Sequence, residues 1–448
     1  MRSKSFLTCI FLSLATAPVP MAIARTSESK STREQLARQA VSDDRAKSET
    51  AIAALRQEGP AGLAILLNTY SDDIARHAKD SAAAAPSDPR WLRLTAALDA
   101  VSQQRDSYAS ELYWYTDLEK AKAAARESGK PILSLRLLGK LTEEFSCANS
   151  RFFRAILYPD PAVSSFLREH YILHWKSVRP APLITIDFGD GRKLQRTITG
   201  NSIHYVLDSN GRPIDAIPGL YGPTAFLREL SDAERVFRLV ASLNGSQRDA
   251  ALRQYHLSAK QEAAREWQID IVRSGAVMRA DDSIAESNGA ATPAVEAAPT
   301  APSKMAVQMP TVRSISDTGP MAAPDKQAEG NASAWQRIAR IHQSEMTLNP
   351  KIIAVIRSQY RASHPNDQAI QRVILNLQRS LALDSVRNRY LIHSRIHQWF
   401  VDGQINQDVD ALNERVYARL FLTPSSDPWL GLLTPDTFSG LIDDGVVH

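Results

Sequence analysis

Between Thr116 and Leu230 the apolar residues switch repeatedly between a spacing of three to four and a spacing of two, which restricts this stretch to a sheet with helices packed on it. Asp117 is an N-cap candidate for a helix over Leu118 to Ser128, and Gly129 stands where a left-handed C-cap is favoured. Pro131 to Leu138 alternates, with Leu133, Leu135 and Leu137 on one face, and reads as a strand. A helix is expected from about Cys147 to Leu157. Asp160-Pro161 then sets a capping side chain before a proline at the first helical position, so a second helix should run to His170. Tyr171 to Val178 is the next strand. Ile184 to Phe188 and Arg192 to Ile198 alternate around Gly189-Asp190-Gly191 and predict a hairpin; Asp187 and Asp190 are too few and wrongly spaced for a calcium loop. Ile203 to Leu207 and Pro213 to Ile217 flank an Asn210-Gly211 turn, and Pro223 opens the closing helix. The order predicts a small α/β domain with a mixed sheet.

The flanks are helical. Residues 25–112 are rich in Ala, Leu, Arg and Gln, and Pro60, Pro86 and Pro89 divide them into three expected helices, too short and Ala-rich for a strong core and suited to bracing the next domain. After the domain at 113–240, a helical extension is expected over 241–275. Residues 276–333 fill with Ala, Pro, Ser and Met, lose all periodicity and read as a disordered linker between two folding units. Helices return over 334–448, where Ile370, Val373, Ile374, Leu377 and Leu381 form one apolar stripe. Asn349-Pro350, Asn366 and Asp384 are expected helix starts, and the Pro- and Gly-broken tail from Thr423 is expected to wrap over that bundle.

Arg2 and Lys4, the apolar run from Phe6 to Val19 and the small residues Ala22 and Ala24 have the pattern of a cleaved secretion signal over residues 1–24. That run is shorter than the roughly 20 residues a bilayer span needs, and Pro18 and Pro20 interrupt it. The mature chain is therefore expected in the periplasm or outside the cell, without an integral membrane segment. Lys and Arg number 53 against 49 Asp and Glu, a balance too even to point to nucleic acid as a partner. Of two cysteines, Cys9 leaves with the signal and Cys147 remains, so no internal disulfide is available.

Trp114-Tyr-Thr-Asp117-Leu-Glu-Lys-Ala121, then Gly129-Lys130-Pro131-Ile-Leu, then Cys147-Ala148-Asn149-Ser150 ahead of Asp160-Pro161-Ala162-Val163 resemble the exported members of the thioredoxin-like superfamily. Tyr205-Val-Leu-Asp208-Ser-Asn-Gly211 resembles that family's strand ending in Leu-Asp-x-x-Gly. The resemblance covers about 114–230. It implies an α/β thioredoxin-like domain, a mixed sheet with flanking helices, set between the N-terminal helices and a separate all-α C-terminal domain. It also implies that Cys147 occupies the nucleophile position and Ser150 the resolving one, with Asn149, Arg151, Asn201 and Ser202 beside the substrate. Asn201 and Ser202 stand where the family carries a cis-proline, and no Trp precedes Cys147.

A cysteine in the first turn of a helix has its thiolate stabilised by free backbone N–H groups, and Arg151 and Arg154 lie close in sequence, so a lowered pKa is expected. With Ser150 in place of a second thiol the chemistry is monothiol, needing a low-molecular-weight or protein thiol or disulfide as partner and no cofactor. The other reading is a non-catalytic scaffold that binds an envelope protein, with Cys147 a small buried hydrophobe. His174 and His204, on central strands, are candidate bases and more commonly core residues. His393 and His397 are four apart, as a metal pair requires, but no third ligand is evident nearby, so no metal is assigned and a core or interface role is expected.

Overall fold

The computed structural model describes residues 22–80, 88–197, 200–276, 326–360, 367–403 and 408–430. Residues 1–21 of the expected secretion signal, residues 277–325 of the expected linker and the tail beyond residue 430 lie outside the described residues; residues 326–333, expected in the linker, are instead helical.

The N-terminal helices α1 (Ala22–Ala40), α2 (Arg45–Gln57), α3 (Pro60–Thr69), α4 (Ser71–Asp80), α5 (Pro89–Ser102) and α6 (Ser107–Ser110) exceed the three expected. They also build a core of their own, with Leu55, Leu63, Leu66, Leu94, Leu98 and Val101 buried together. The expected weakness is offset by close approach: Gly62 sits where a Cβ would lie 1.9 Å from the Leu55 carbonyl oxygen, so α2 and α3 pack backbone to backbone. The bundle does brace the next unit. Arg56 donates to the carbonyls of Val101 and Trp114, and the indoles of Trp114 and Trp175 donate to Gln104 Oε1 and the Gln103 carbonyl at 2.8 Å each.

In the middle segment, local chemistry sets the boundaries. The Asp117 side chain accepts from the N–H groups of Glu119 and Lys120, opening α7 (Leu118–Ser128), and Gly129 closes it at φ 70°. After β1 (Ile132–Leu138) come α8 (Ala148–Phe152), which continues as a π-helical turn over Phe153–Leu157, and α9 (Pro161–His170), capped by Asp160. β2 (Ile172–Arg179), β3 (Leu183–Asp187), β4 (Lys193–Thr197), β5 (Ser202–Leu207) and β6 (Pro213–Pro218) lead to α10 (Pro223–Ala241) and the long α11 (Gly245–Ser274). The main sheet has the order β2-β1-β5-β6, with β1 and β2 parallel and the β1–β5 and β5–β6 pairs antiparallel. β3 and β4 form a separate hairpin. The fold is thus mixed α/β with a four-stranded mixed sheet.

One feature of β1 departs from its alternating sequence, because all seven residues are buried, Arg136 included at 1% exposure. Arg136 meets the last of the C-terminal helices, which are α12 (Lys326–Ile341), α13 (Pro350–Tyr360), α14 (Asp367–Arg387), α15 (Ser394–Val401) and α16 (Val409–Arg419). These do not form the separate all-α domain expected. Their buried Ile338, Ile352, Ile374, Ile396, Leu412 and Val416 belong to the same continuous core as Leu133, Leu135 and Val206 of the sheet. α16 lies against β1, β2 and β5: Asp410 accepts from Arg136 at 3.1 Å and Lys176 at 2.7 Å, and Tyr205 donates to Asn413. The apolar stripe marks a buried face but does not say what buries it. Asp384 is not a helix start either: it lies inside α14, which runs on through a π-helical turn over Asn388–His393 into α15. The tail beginning at Thr423 reaches the sheet domain, where Arg179 donates to the carbonyls of Thr423, Pro424 and Asp427.

Candidate functional site

Cys147 is the N-cap residue of α8, and its N–H donates to the Leu138 carbonyl at the end of β1 at 3.1 Å. Its side chain is completely buried, at 0% exposure. Burial pushes the thiol pKa up, and the Ser150 N–H and the charges of Arg151 and Arg154 offset only part of that rise. The lowered pKa expected from a helix N-terminus is therefore corrected: desolvation outweighs the few free N–H groups of a helical turn only five residues long.

The other residues expected around the thiol do come together, but they bond to the protein itself. Ser150 is buried and hydrogen-bonded to the Ser146 hydroxyl. Asn149 donates to the Ser202 hydroxyl at 3.0 Å, and Arg151 to Thr197 Oγ1 at 3.0 Å. Asn201 donates to Thr423 Oγ1 at 2.9 Å, and its carbonyl accepts from the Tyr417 hydroxyl at 3.1 Å. Thus α16 and the segment after it bond to the Asn201 side-chain nitrogen and backbone carbonyl, where the resemblance sets the substrate, and Asn201 Oδ1 is buried without a partner among the described residues. Arg154, which the sequence associates only with the thiolate, donates to the Ser150 and Glu144 carbonyls and to Ser146 Oγ; burial lowers its pKa to about 10.

His174 and His204 are core residues facing other partners than the thiol. His174 Nδ1 pairs with Ser134 Oγ at 2.8 Å, and His204 Nε2 with the Tyr158 hydroxyl at 2.8 Å between the rings of Phe153 and Phe226. Burial lowers both to about 3, so both are neutral at physiological pH.

His393 and His397, by contrast, acquire the companions that local spacing does not reveal. Asp215 on β6 and His256 on α11 meet them in a buried cluster, and one ligand atom each from Asp215, His256 and His397 lie within 4.8 Å of one another. His256 Nδ1 and His397 Nδ1 are 2.8 Å apart, and His256 Nε2 faces the Ile214 carbonyl at 3.0 Å. Asp215 Oδ1 accepts from His393 Nε2 at 3.0 Å and from the Ala216 N–H, and Oδ2 accepts from the Tyr255 hydroxyl at 2.7 Å. Burial alone would raise the Asp215 carboxyl, but His393, His397 and His256 hold it well below the usual range. Burial lowers His397, and His256 to about 4. For His393 burial is outweighed by Asp215 and Glu229, and its pKa rises. Nothing in the sequence near Asp215 or His256 signals this meeting; the one local sign is the His393/His397 pair. Comparison of the chain with protein families, curated proteins and solved structures finds no match.

Proposed function

We propose that the chain is a non-catalytic thioredoxin-like scaffold, exported to the cell envelope, in which Cys147 serves packing and the domain binds a protein partner. The observation that carries this reading is the complete burial of Cys147, together with its raised pKa. A thiol acts as a nucleophile only when ionised and within reach of its target, and desolvation works against both. The sheet order β2-β1-β5-β6, with a cysteine at the N-cap of the helix after β1, supports the thioredoxin-like part of the reading. Occupation of Asn201 by Tyr417 and Thr423 supports the non-catalytic part, since a substrate would have to displace the chain's own helix.

The test is the reaction of the full chain with a chromogenic aromatic disulfide at neutral pH. Cys147 is expected to react stoichiometrically after denaturation and not in the native protein. Rapid native labelling that levels off with a midpoint below about 7.5 would restore the monothiol reading.

A further inference from the structure

We propose that Asp215, His256 and His397 bind a first-row divalent cation, with Zn²⁺ as the best-suited ion, and that the bound ion staples the C-terminal helices to the sheet. The donor set is two imidazoles and a carboxylate, which suits zinc. A tetrahedral ion with bonds of about 2.0–2.1 Å sets its ligand atoms about 3.3 Å apart. Here the two Nδ1 atoms are 2.8 Å apart and His397 Nδ1 is 4.0 Å from Asp215 Oδ1, so the present spacings bracket that requirement. Binding requires the two imidazoles to move apart and the carboxylate to move in.

The surrounding groups fit ligands. The Ile214 carbonyl accepts only, so His256 Nε2 carries its proton and Nδ1 presents a lone pair toward His397. A carbonyl fixing the tautomer of a histidine is the usual partner behind a metal-bound imidazole, and ligating carboxylates are likewise held by donors. His393 and Tyr255 hold Asp215 in this way. The three ligands come from β6, α11 and α15, so one ion ties together elements that contain no cysteine to join them by a disulfide. The cluster lies next to a surface cleft. A cleft of about 390 Å³ is lined by Arg248, Leu252 and Phe400, and the Phe400 ring stacks on His256 at 3.8 Å, which sets the ligands behind one side chain.

This proposal does not involve the thiol and stands apart from the scaffold reading. The full chain is stripped with a chelator, dialysed against Zn²⁺ and assayed for metal by atomic spectrometry, and cobalt(II) is substituted for its visible absorption. The expected result is one ion per chain and the intense visible bands of tetrahedral cobalt. His256→Gln and His397→Gln should lose the ion, while Cys147→Ser and His342→Gln should keep it. Tyr255→Phe, which removes a partner of Asp215, should weaken affinity about 10-fold. Retention of the ion by both histidine variants would overturn the assignment. Should those variants fail to fold, wild-type melting decides: Zn²⁺ must raise the melting temperature of the stripped chain, and identical curves with and without it mean that His397 simply donates to His256 in a metal-free pair.

Discussion

Leu412→Ala tests whether the C-terminal helices and the sheet are one cooperative unit. Leu412 lies on α16 with 0% of its surface exposed, inside the core shared with the sheet. Truncating a fully buried leucine costs about 2.7–5.0 kcal/mol, the transfer energy of the lost methyls plus the cavity left behind. The Lys176–Asp410 pair of the same helix contributes less, because both partners are more than half exposed and such pairs are worth about 1 kcal/mol or less. A loss of about 3 kcal/mol corresponds to about two decades in the population of the open state (1.36 kcal/mol per decade). The assay is native-state hydrogen exchange at the amides of β1 and β5, which carry the paired register Leu133↔Val206 and Leu135↔His204. One cooperative core requires those amides to exchange about 100-fold faster in the variant, although Leu412 is far from them in sequence. Unchanged exchange in β1 and β5, with faster exchange confined to α14–α16, would refute the shared core and restore two independent units.

Gly62→Ala should lower the melting temperature of the N-terminal bundle by the equivalent of at least about 1–3 kcal/mol, since the new Cβ meets backbone atoms of Leu55 that cannot rotate away; an unchanged melt by calorimetry would contradict the close packing of α2 and α3. Asp410→Asn should cost more in urea titrations than the about 1 kcal/mol of an exposed pair, because it strips the carboxylate from Arg136, which is only 1% exposed, whereas the exposed Lys176 loses little; a cost that vanishes at high salt would show the Arg136 pair to be screened instead. At His342 burial is outweighed by hydrogen bonds to Glu345 and Asp270, and the pKa rises above 6.5. A raised histidine contributes its stabilisation in full below the unfolded pKa and loses it as pH rises through the folded one, so His342→Gln should cost most below about pH 6.5 and least in alkali. A cost that grows with pH would reverse the assignment of the charged partners.

Local order was legible in the residues themselves. Asp117 and Gly129 bound α7, Asp160-Pro161 opens α9, and the Gly189-Asp190-Gly191 turn joins β3 to β4, because caps and turns depend on neighbours within four residues and period-two alternation reports a strand directly. What buries each face depends on remote segments that no local spacing encodes. The Leu-rich face of β1 was evident, but that Arg136 on its other face would be buried and paired with Asp410 of the remote α16 was not. Cys147 stands at a helix N-terminus, a position that sequence reasoning associates with a low pKa, and tertiary packing reversed the sign by removing water. His393 and His397 advertised themselves by a spacing of four, whereas Asp215 and His256 entered the same cluster only because β6 and α11 fold beside α15. Periodicity tells a residue which side of its own element it occupies; long-range packing decides what chemistry it meets there.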